Sequence, residues 1–315
     1  MIKPISSRII LLTAVYFFTF HLNAQRYDWK KERQEVIFGL GMANFLGELG
    51  GRDAIGTDYS PADLEMALTR PAAMAGYRYR LTRNWAARGE VNYLRVWGDD
   101  KRTAEPFRHN RNLYFRSNIF EFSANIEYAF IYDKKGNKYH IKHTFKQRKR
   151  NTSVYGYVFT GIAAFYFNPK AKYQGTWLAL QPLGTEGQGI VPGTKKYSRI
   201  SFAIPLGFGI KVKLNDQWNV GMEANYRVTF TDYIDDCSTT YYDNNALLVT
   251  NGPASAQLAD PNLGQYPIQL DESGKSKTGM QRGDSKQNDA YMSINFTGGY
   301  IIKSKRGKKK TRSKF

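Results

Sequence analysis

The chain is 315 residues long and carries 46 Lys and Arg against 27 Asp and Glu, a formal net charge of +19 at pH 7. Its one cysteine, Cys237, excludes an internal disulfide framework, and no apolar run beyond the first 24 residues approaches the length a membrane-spanning helix needs. So basic a chain would ordinarily point to nucleic acid, but most of the charge sits in two short segments and the N-terminus reads as an export signal, which sets nucleic acid aside.

In chain order, Lys3 and Arg8 precede the apolar run from Ile9 to Phe20, and Leu22-Asn23-Ala24 offers a small-residue cleavage site. Residues 1–24 are thus expected to be a signal peptide and the mature chain to start at Gln25. Val36, Phe38, Leu40 and Met42 then alternate with Ile37, Gly39, Gly41 and Ala43, a first strand. The following loop to Thr69 holds a short helix signal, Ser60 as cap with Pro61 behind it. Strand two, Arg70 to Leu81, puts Tyr77, Tyr79 and Leu81 on one face and Gly76, Arg78 and Arg80 on the other. After the turn Thr82-Arg83-Asn84, strand three alternates Trp85, Ala87, Val91 and Tyr93 with Ala86, Arg88, Glu90 and Asn92. Residues 97–117 read as a polar loop, and strand four follows with Phe120, Phe122, Ala124, Ile126, Tyr128, Phe130 and Tyr132 on one face.

A basic segment, 132–152, leads to strand five, Ser153 to Phe167, and to a loop from Asn168 to Tyr197. Strands six and seven form the hairpin Ser198 to Tyr233, turning at Asn215-Asp216-Gln217. The longest loop, Asp232 to Asp289, precedes strand eight, where Met292, Ile294, Phe296, Tyr300 and Ile302 alternate with Ser293, Asn295, Thr297 and Gly299.

Strand length decides the environment. Soluble sandwich strands usually stop after about 5 or 6 residues, whereas strand six keeps Ile200, Phe202, Ile204, Leu206, Phe208, Ile210 and Val212 on one unbroken face. A tilted membrane strand needs about 9 to 11 residues and meets lipid with every second side chain. The pattern therefore predicts an all-β fold, an eight-stranded antiparallel transmembrane barrel of the outer-membrane type spanning residues 25–302, with location in the cell outer membrane. Charges facing lipid cost about 2–4 kcal/mol each at the midplane, so Arg78, Arg80, Arg88 and Glu90 are expected to face inward. An eight-stranded interior is just wide enough to be filled by side chains, which argues against a solute pore, although Gly207, Gly209 and Gly221 on inner faces leave some room.

With a periplasmic N-terminus the long connections fall outside and most short ones inside, the usual asymmetry. Both basic segments then face the periplasm. Lys134, Lys135, Lys138, Lys142, Lys146, Arg148, Lys149 and Arg150 in the turn, with Lys308, Lys309 and Lys310 in the tail 303–315, are the candidate partner-binding residues. They suit either lipid phosphates or an acidic periplasmic protein.

No catalytic, cofactor or metal site is expected. His109 in an outer loop, with Ser117 as a conceivable neighbouring hydroxyl, is better read as a solvated loop histidine, and His140 and His143 as part of the basic turn. Asp232, Asp235, Asp236 and Asp243 offer clustered oxygens that suit calcium, set against the commoner use of Asp to cap turns. The glycines around Gly39 lack the helix of a dinucleotide site, and the stretch at Gly274 lacks the upstream glycine of a phosphate loop.

Several segments carry a family resemblance: GMANFLGELGG (41–51), SNIFEFSANIEY (117–128), GIAAFYFNPKAKYQGTWLALQPLGTEGQG (161–189), FAIPLGFGIK (202–211), TDYIDDCSTTYYDN (231–244) and RGDSKQNDAYM (282–292). Together they resemble the outer-membrane β-barrel family of Bacteroidetes typified by PorG and associated with the type IX secretion system. The resemblance implies a non-enzymatic component in contact with outer-membrane lipid and with a periplasmic ring formed by a lipoprotein and its partner, without a small-molecule substrate. The tail beyond Ile302 departs from chains that stop close to the last strand. Two other readings of the same barrel are a lipid-modifying enzyme and a structural or adhesive barrel working through its outer loops.

Overall fold

The computed structural model describes residues 32–49, 66–103, 105–131 and 154–303. The expected signal peptide, the helix at Ser60, the basic turn from Lys134 to Arg150 and the tail residues Lys308, Lys309 and Lys310 lie outside the described residues.

Ten strands are present: β1 Gln34–Leu46, β2 Arg70–Arg80, β3 Trp85–Asp99, β4 Tyr114–Ile131, β5 Val154–Tyr166, β6 Pro169–Tyr173, β7 Thr176–Ala179, β8 Ile200–Lys213, β9 Trp218–Thr229 and β10 Ala290–Ile302. Eight of them pair antiparallel in the order β3-β2-β1-β10-β9-β8-β5-β4, and β3 pairs with β4 to close the ring. Closure leaves the ring no free edge, which is what lets a sheet sit in hydrocarbon. The remaining two, β6 and β7, form a hairpin at the upper end of β4, where Lys170 pairs with Arg116.

At one end the turns are tight. Asn215 Oδ1 accepts the Gln217 and Trp218 N–H groups at 2.8 Å each, and Thr82 Oγ1 accepts from Trp85 N–H at 3.0 Å. Such side-chain bonds replace the ladder bonds that a reversing backbone loses.

The outer wall is apolar. Leu40 and Ile162 are each 72% exposed, Phe296 65% and Phe208 63%, and large side chains on every barrel strand share this exposure. A surface of this kind belongs against lipid rather than water. Trp85 packs on Tyr128 at 4.9 Å and Trp218 on Tyr300 at 5.0 Å toward the tight-turn end, and Tyr93 packs on Phe120 at 5.2 Å toward the other. These pairs are the aromatic girdles of the band. Among the described residues no helix is long and apolar enough to cross a membrane.

The inward register of Arg78, Arg88 and Glu90 is as expected, and all three are buried. Arg80 lies lower, at the mouth, half-buried over the Tyr155 ring at 5.0 Å. The room expected at the inner glycines is taken. A Cβ at Gly209 would lie 2.5 Å from the Tyr157 ring and one at Gly207 2.2 Å from the Phe159 ring, so the glycines let two rings lie flat across the lumen.

Two regions read as loops are ordered structure. The stretch 97–117 contains the upper ends of β3 and β4 and a short helix, Pro106–Arg111, capped by the Glu105 carboxylate. The stretch from Asn168 to Tyr197 contains β6 and β7. In these upper parts the alternation changes phase. On β4 Phe120 and Phe122 point out while Ile119 and Phe115 point in, and on β3 Val91 points out while Leu94 and Val96 point in. The inward apolar residues join Phe45, Phe165, Phe167, Ile234 and Tyr291 in one core above the membrane band.

Candidate functional site

Within the membrane band the lumen is a network of ions rather than a water path. Arg78 gives Nη1 to Glu35 at 3.0 Å and Nε to Glu127 at 2.8 Å, and Arg88 gives Nη1 to Glu223 at 3.0 Å and lies 3.2 Å from Glu90. Lys211 reaches Glu35 at 2.8 Å, and the Tyr157 hydroxyl donates to Glu223. The planar guanidiniums fill the width as well: Arg88 lies 3.8 Å from the Phe159 centroid and Arg78 4.9 Å from that of Tyr157. A second layer sits above, where Arg227 pairs with Glu121 at 3.0 Å and Tyr291 donates to the same carboxylate at 2.6 Å. Contributions come from β1, β2, β3, β4, β5, β8, β9 and β10, so the network ties the whole ring across its lumen. Buried ions hold only when paired, and Arg78 and Arg88 each lie against three carboxylates.

Above the band, two arginines gather the long connections into a cap. Arg111 binds Asp100 through both arms, at 2.7 and 3.1 Å, and also donates to the Glu48 carbonyl at 2.9 Å and the Arg282 carbonyl at 2.8 Å. Arg282 pairs with Glu186 at 2.8 Å and donates to the Asp236 carbonyl. Glu186 in turn accepts the Ser238 N–H at 2.9 Å and the Thr239 hydroxyl at 2.7 Å. The connections after β1, β3, β5 and β9 are thereby locked together. An open cavity of about 520 Å³ remains between them, lined in part by Phe107, Arg108, Tyr241 and Gln281.

The aspartates divide by role. Asp243 caps the helix Asn244–Asn251 through the Asn245 and Ala246 N–H groups, and Asp235 accepts the Cys237 N–H at 2.9 Å. Asp236 takes the Tyr197 hydroxyl at 2.6 Å and the Thr185 hydroxyl at 2.5 Å; burial pushes its carboxyl up to about 6, with Arg282 pulling the other way. Asp232 is pushed up to about 8 by burial. Asp235 and Asp289, both buried, are also raised, by burial first and then by repulsion, from Asp289 on Asp235 and from Asp232 on Asp289. Among the described residues no three His, Cys, Asp or Glu side chains are arranged to hold a metal ion. Turn capping accounts for the bonds of Asp243 and Asp235, whereas Asp236 accepts side-chain hydroxyls instead.

His109 sits in the helix Pro106–Arg111, and Ser117 is not its partner: that hydroxyl is buried in β4 and accepts the Asn168 N–H at 2.9 Å. Burial pushes the Cys237 thiol well up, and it donates to the Arg282 carbonyl at 3.1 Å. The interior glutamates Glu35, Glu121, Glu127 and Glu223, and the cap arginines Arg111 and Arg282, were not singled out from sequence. For the glutamates the inward phase of their strands was the available signal. For the arginines there was little, since apart from Asp100, 11 residues before Arg111, their partners lie far away along the chain.

A closed eight-stranded antiparallel ring with an apolar wall, an ion-filled lumen and long connections at one end defines an integral membrane barrel of the outer-membrane type. By sequence the chain belongs to the family described as Domain of unknown function (DUF6089), whose model matches residues 13–252. Among solved structures it is similar to Neisserial surface protein A, at 8% identity and TM-score 0.37 over 85% of this chain and 96% of that one. It is also similar to the outer membrane protein OprG of Pseudomonas aeruginosa, at 9% identity and TM-score 0.37 over 87% and 98%. A third similarity is to Ail, the attachment invasion locus protein of Yersinia pestis, at 11% identity and TM-score 0.30 over 86% and 98%. Comparison with curated proteins finds no match.

Proposed function

We propose that this protein is a non-catalytic outer-membrane anchor that docks a periplasmic partner, as a component of the type IX secretion machinery. The observation that favours a docking role is where the basic segments leave the barrel. Ile131 and Val154, which flank the basic turn, and Lys303, which opens the tail, all lie at the tight-turn end, since Trp85 pairs with Tyr128, Val154 with Val212 and Gln34 with Ile302. Two strongly cationic stretches joined to the same rim of a closed barrel suit a docking surface better than a solute route. The partner is assigned by the resemblance to the PorG type: the ring of a lipoprotein and its companion. Single exposed ion pairs contribute little and are screened by salt, so the clusters act as units.

The test removes residues 132–152 and truncates the chain after Lys303, leaving every described strand pair in place. Partner co-purification and cargo secretion are expected to fall together while the barrel still inserts. Retention of both by the shortened, inserted barrel would sink the docking role.

A further inference from the structure

We propose that the outward flank of the rim built by β2, β3, β4 and the β6–β7 hairpin binds the phosphate-bearing headgroup of a membrane lipid in the leaflet on the long-connection side. Following β3 upward on its outer face, Val91 and Tyr93 belong to the apolar band, and the next outward positions are Arg95 and Trp97. On β4 the same path runs from Phe122 and Phe120 through Asn118 to Arg116. The change from hydrocarbon-facing to cationic side chains thus occurs within two residues on the paired strands, Arg95 opposite Asn118 and Arg116 opposite Trp97, at the height where headgroup phosphates lie.

At that level the cations crowd one another. Arg116 stands directly opposite Trp97 on one side and Lys170 on the other. Like charges directly across a strand pair are destabilising, and the fields of Arg95 and Arg102 act on Arg70, as that of Arg95 does on Arg116. Their contacts do not cancel this charge. Arg70 donates to the Ala67 and Thr69 carbonyls, and Arg95 to the Asn118 side chain at 3.1 Å. Two of the guanidiniums sit over indoles, Arg70 over Trp97 at 3.9 Å and Arg116 over Trp177 at 3.6 Å. Stacking over an indole engages a guanidinium through its face rather than its N–H edge, and it is the edge that grips a phosphate through two oxygens. The nearby Asp99 is engaged at 3.9 Å by Arg102 and caps the turn after β3 through Lys101 N–H. Indoles beside cations just above an apolar wall suit a lipid better than a soluble anion, because acyl chains then lie along Phe120 and Phe122 while the phosphate meets Arg95 and Arg116.

The experiment uses the full chain in detergent micelles, titrated with a diphosphorylated glycolipid of the lipid A type, its dephosphorylated form, and inorganic phosphate, read by native mass spectrometry and by indole fluorescence. Saturable binding of the diphosphorylated lipid is expected. Removing its phosphates, or the double variant R95Q/R116Q, should weaken binding on the order of thirtyfold. The cap variant K195Q/K286Q, which loses the same charge elsewhere, should leave it unchanged, and heat-modifiable gel mobility checks that each barrel is folded. Equal weakening in the cap variant, binding indifferent to the phosphates, or displacement of the lipid by millimolar inorganic phosphate would each overturn the proposal.

Discussion

The lower and upper halves of this barrel obey opposite rules with the same strands. In the membrane band, large apolar side chains such as Leu40 and Phe208 point out, and Arg78, Arg88 and Glu223 are buried inside. Above it, Leu94, Phe115 and Ile119 point inward into a core and Arg95 and Arg116 point outward. The solvent accounts for the difference. Where lipid surrounds the wall, apolar groups gain nothing by going inside and charges must; where water surrounds it, the ordinary burial rule returns. The two interiors are consequently held by different forces, directional ion pairs below and close packing above.

Removing one member of the lower network tests the first of these. Glu223→Ala takes an acceptor from Arg88, Arg78 and Tyr157 at once. Stranding buried guanidiniums is expected to destabilise the barrel by about 3–5 kcal/mol, measured by urea unfolding in lipid vesicles with gel mobility as the readout. A change near zero would mean that water reaches the network and that the lumen is open.

In the upper interior, Ile119→Ala should cost about 2–5 kcal/mol through lost burial and the cavity left behind. Its signature differs, since the damage is confined to the rim. Protease sensitivity should rise in the connection between β9 and β10 while the membrane band keeps its gel mobility. If both variants unfold the protein in one common transition, the two levels are energetically a single unit and the contrast between them is only one of composition. A smaller effect separates packing from charge within the lower level. In Gly209→Ala the new methyl meets the Tyr157 ring at 2.5 Å and its hydroxyl at 2.6 Å. Overpacking of this sort costs about 1–3 kcal/mol, whereas a loss within about 0.5 kcal/mol would mean that Tyr157 is free to move aside.

The same two-level arrangement explains what the sequence made legible. Eight long alternating segments, the closed ring and the inward Arg78, Arg88 and Glu90 follow from period-two spacing and the penalty for charge in lipid. The upper ends of β3 and β4 do not. At Tyr93-Leu94 and Ile119-Phe120 two neighbouring apolar residues belong to opposite faces, and this phase change looks like the end of a strand although the backbone continues straight. The hairpin of β6 and β7 was hidden for a different reason: its strands are 5 and 4 residues long, too short for periodicity to register. In the cap, Asp243 was readable as a capping residue because its bonds are local. Arg111 was not, because its partners Glu48, Asp100 and Arg282 come from three connections and meet only once the ring has closed.

A different kind of effect concerns how the cap answers to pH. Asp232 is held up to about 8 by burial, with the carboxylates of Glu48, Glu186 and Asp284 adding repulsion and Ser238 opposing through a hydrogen bond. In the opened cap its carboxyl would return to about 3.9. Between those values the closed form binds more protons than the open one, so closure is favoured at low pH and is progressively lost as pH rises toward 8. Protease nicking between β9 and β10 should therefore be faster at pH 8 than at pH 5 after correction for the protease's own pH dependence. Asp232→Asn keeps the shape without the charge, so it should reduce this difference, protecting the cap most at pH 8 and less at pH 5, where the opened carboxyl is already ionised. The ion network below would be untouched, so Asp232→Asn should not alter resistance to urea in the band. A shift there would show that cap and lumen titrate together rather than as two levels.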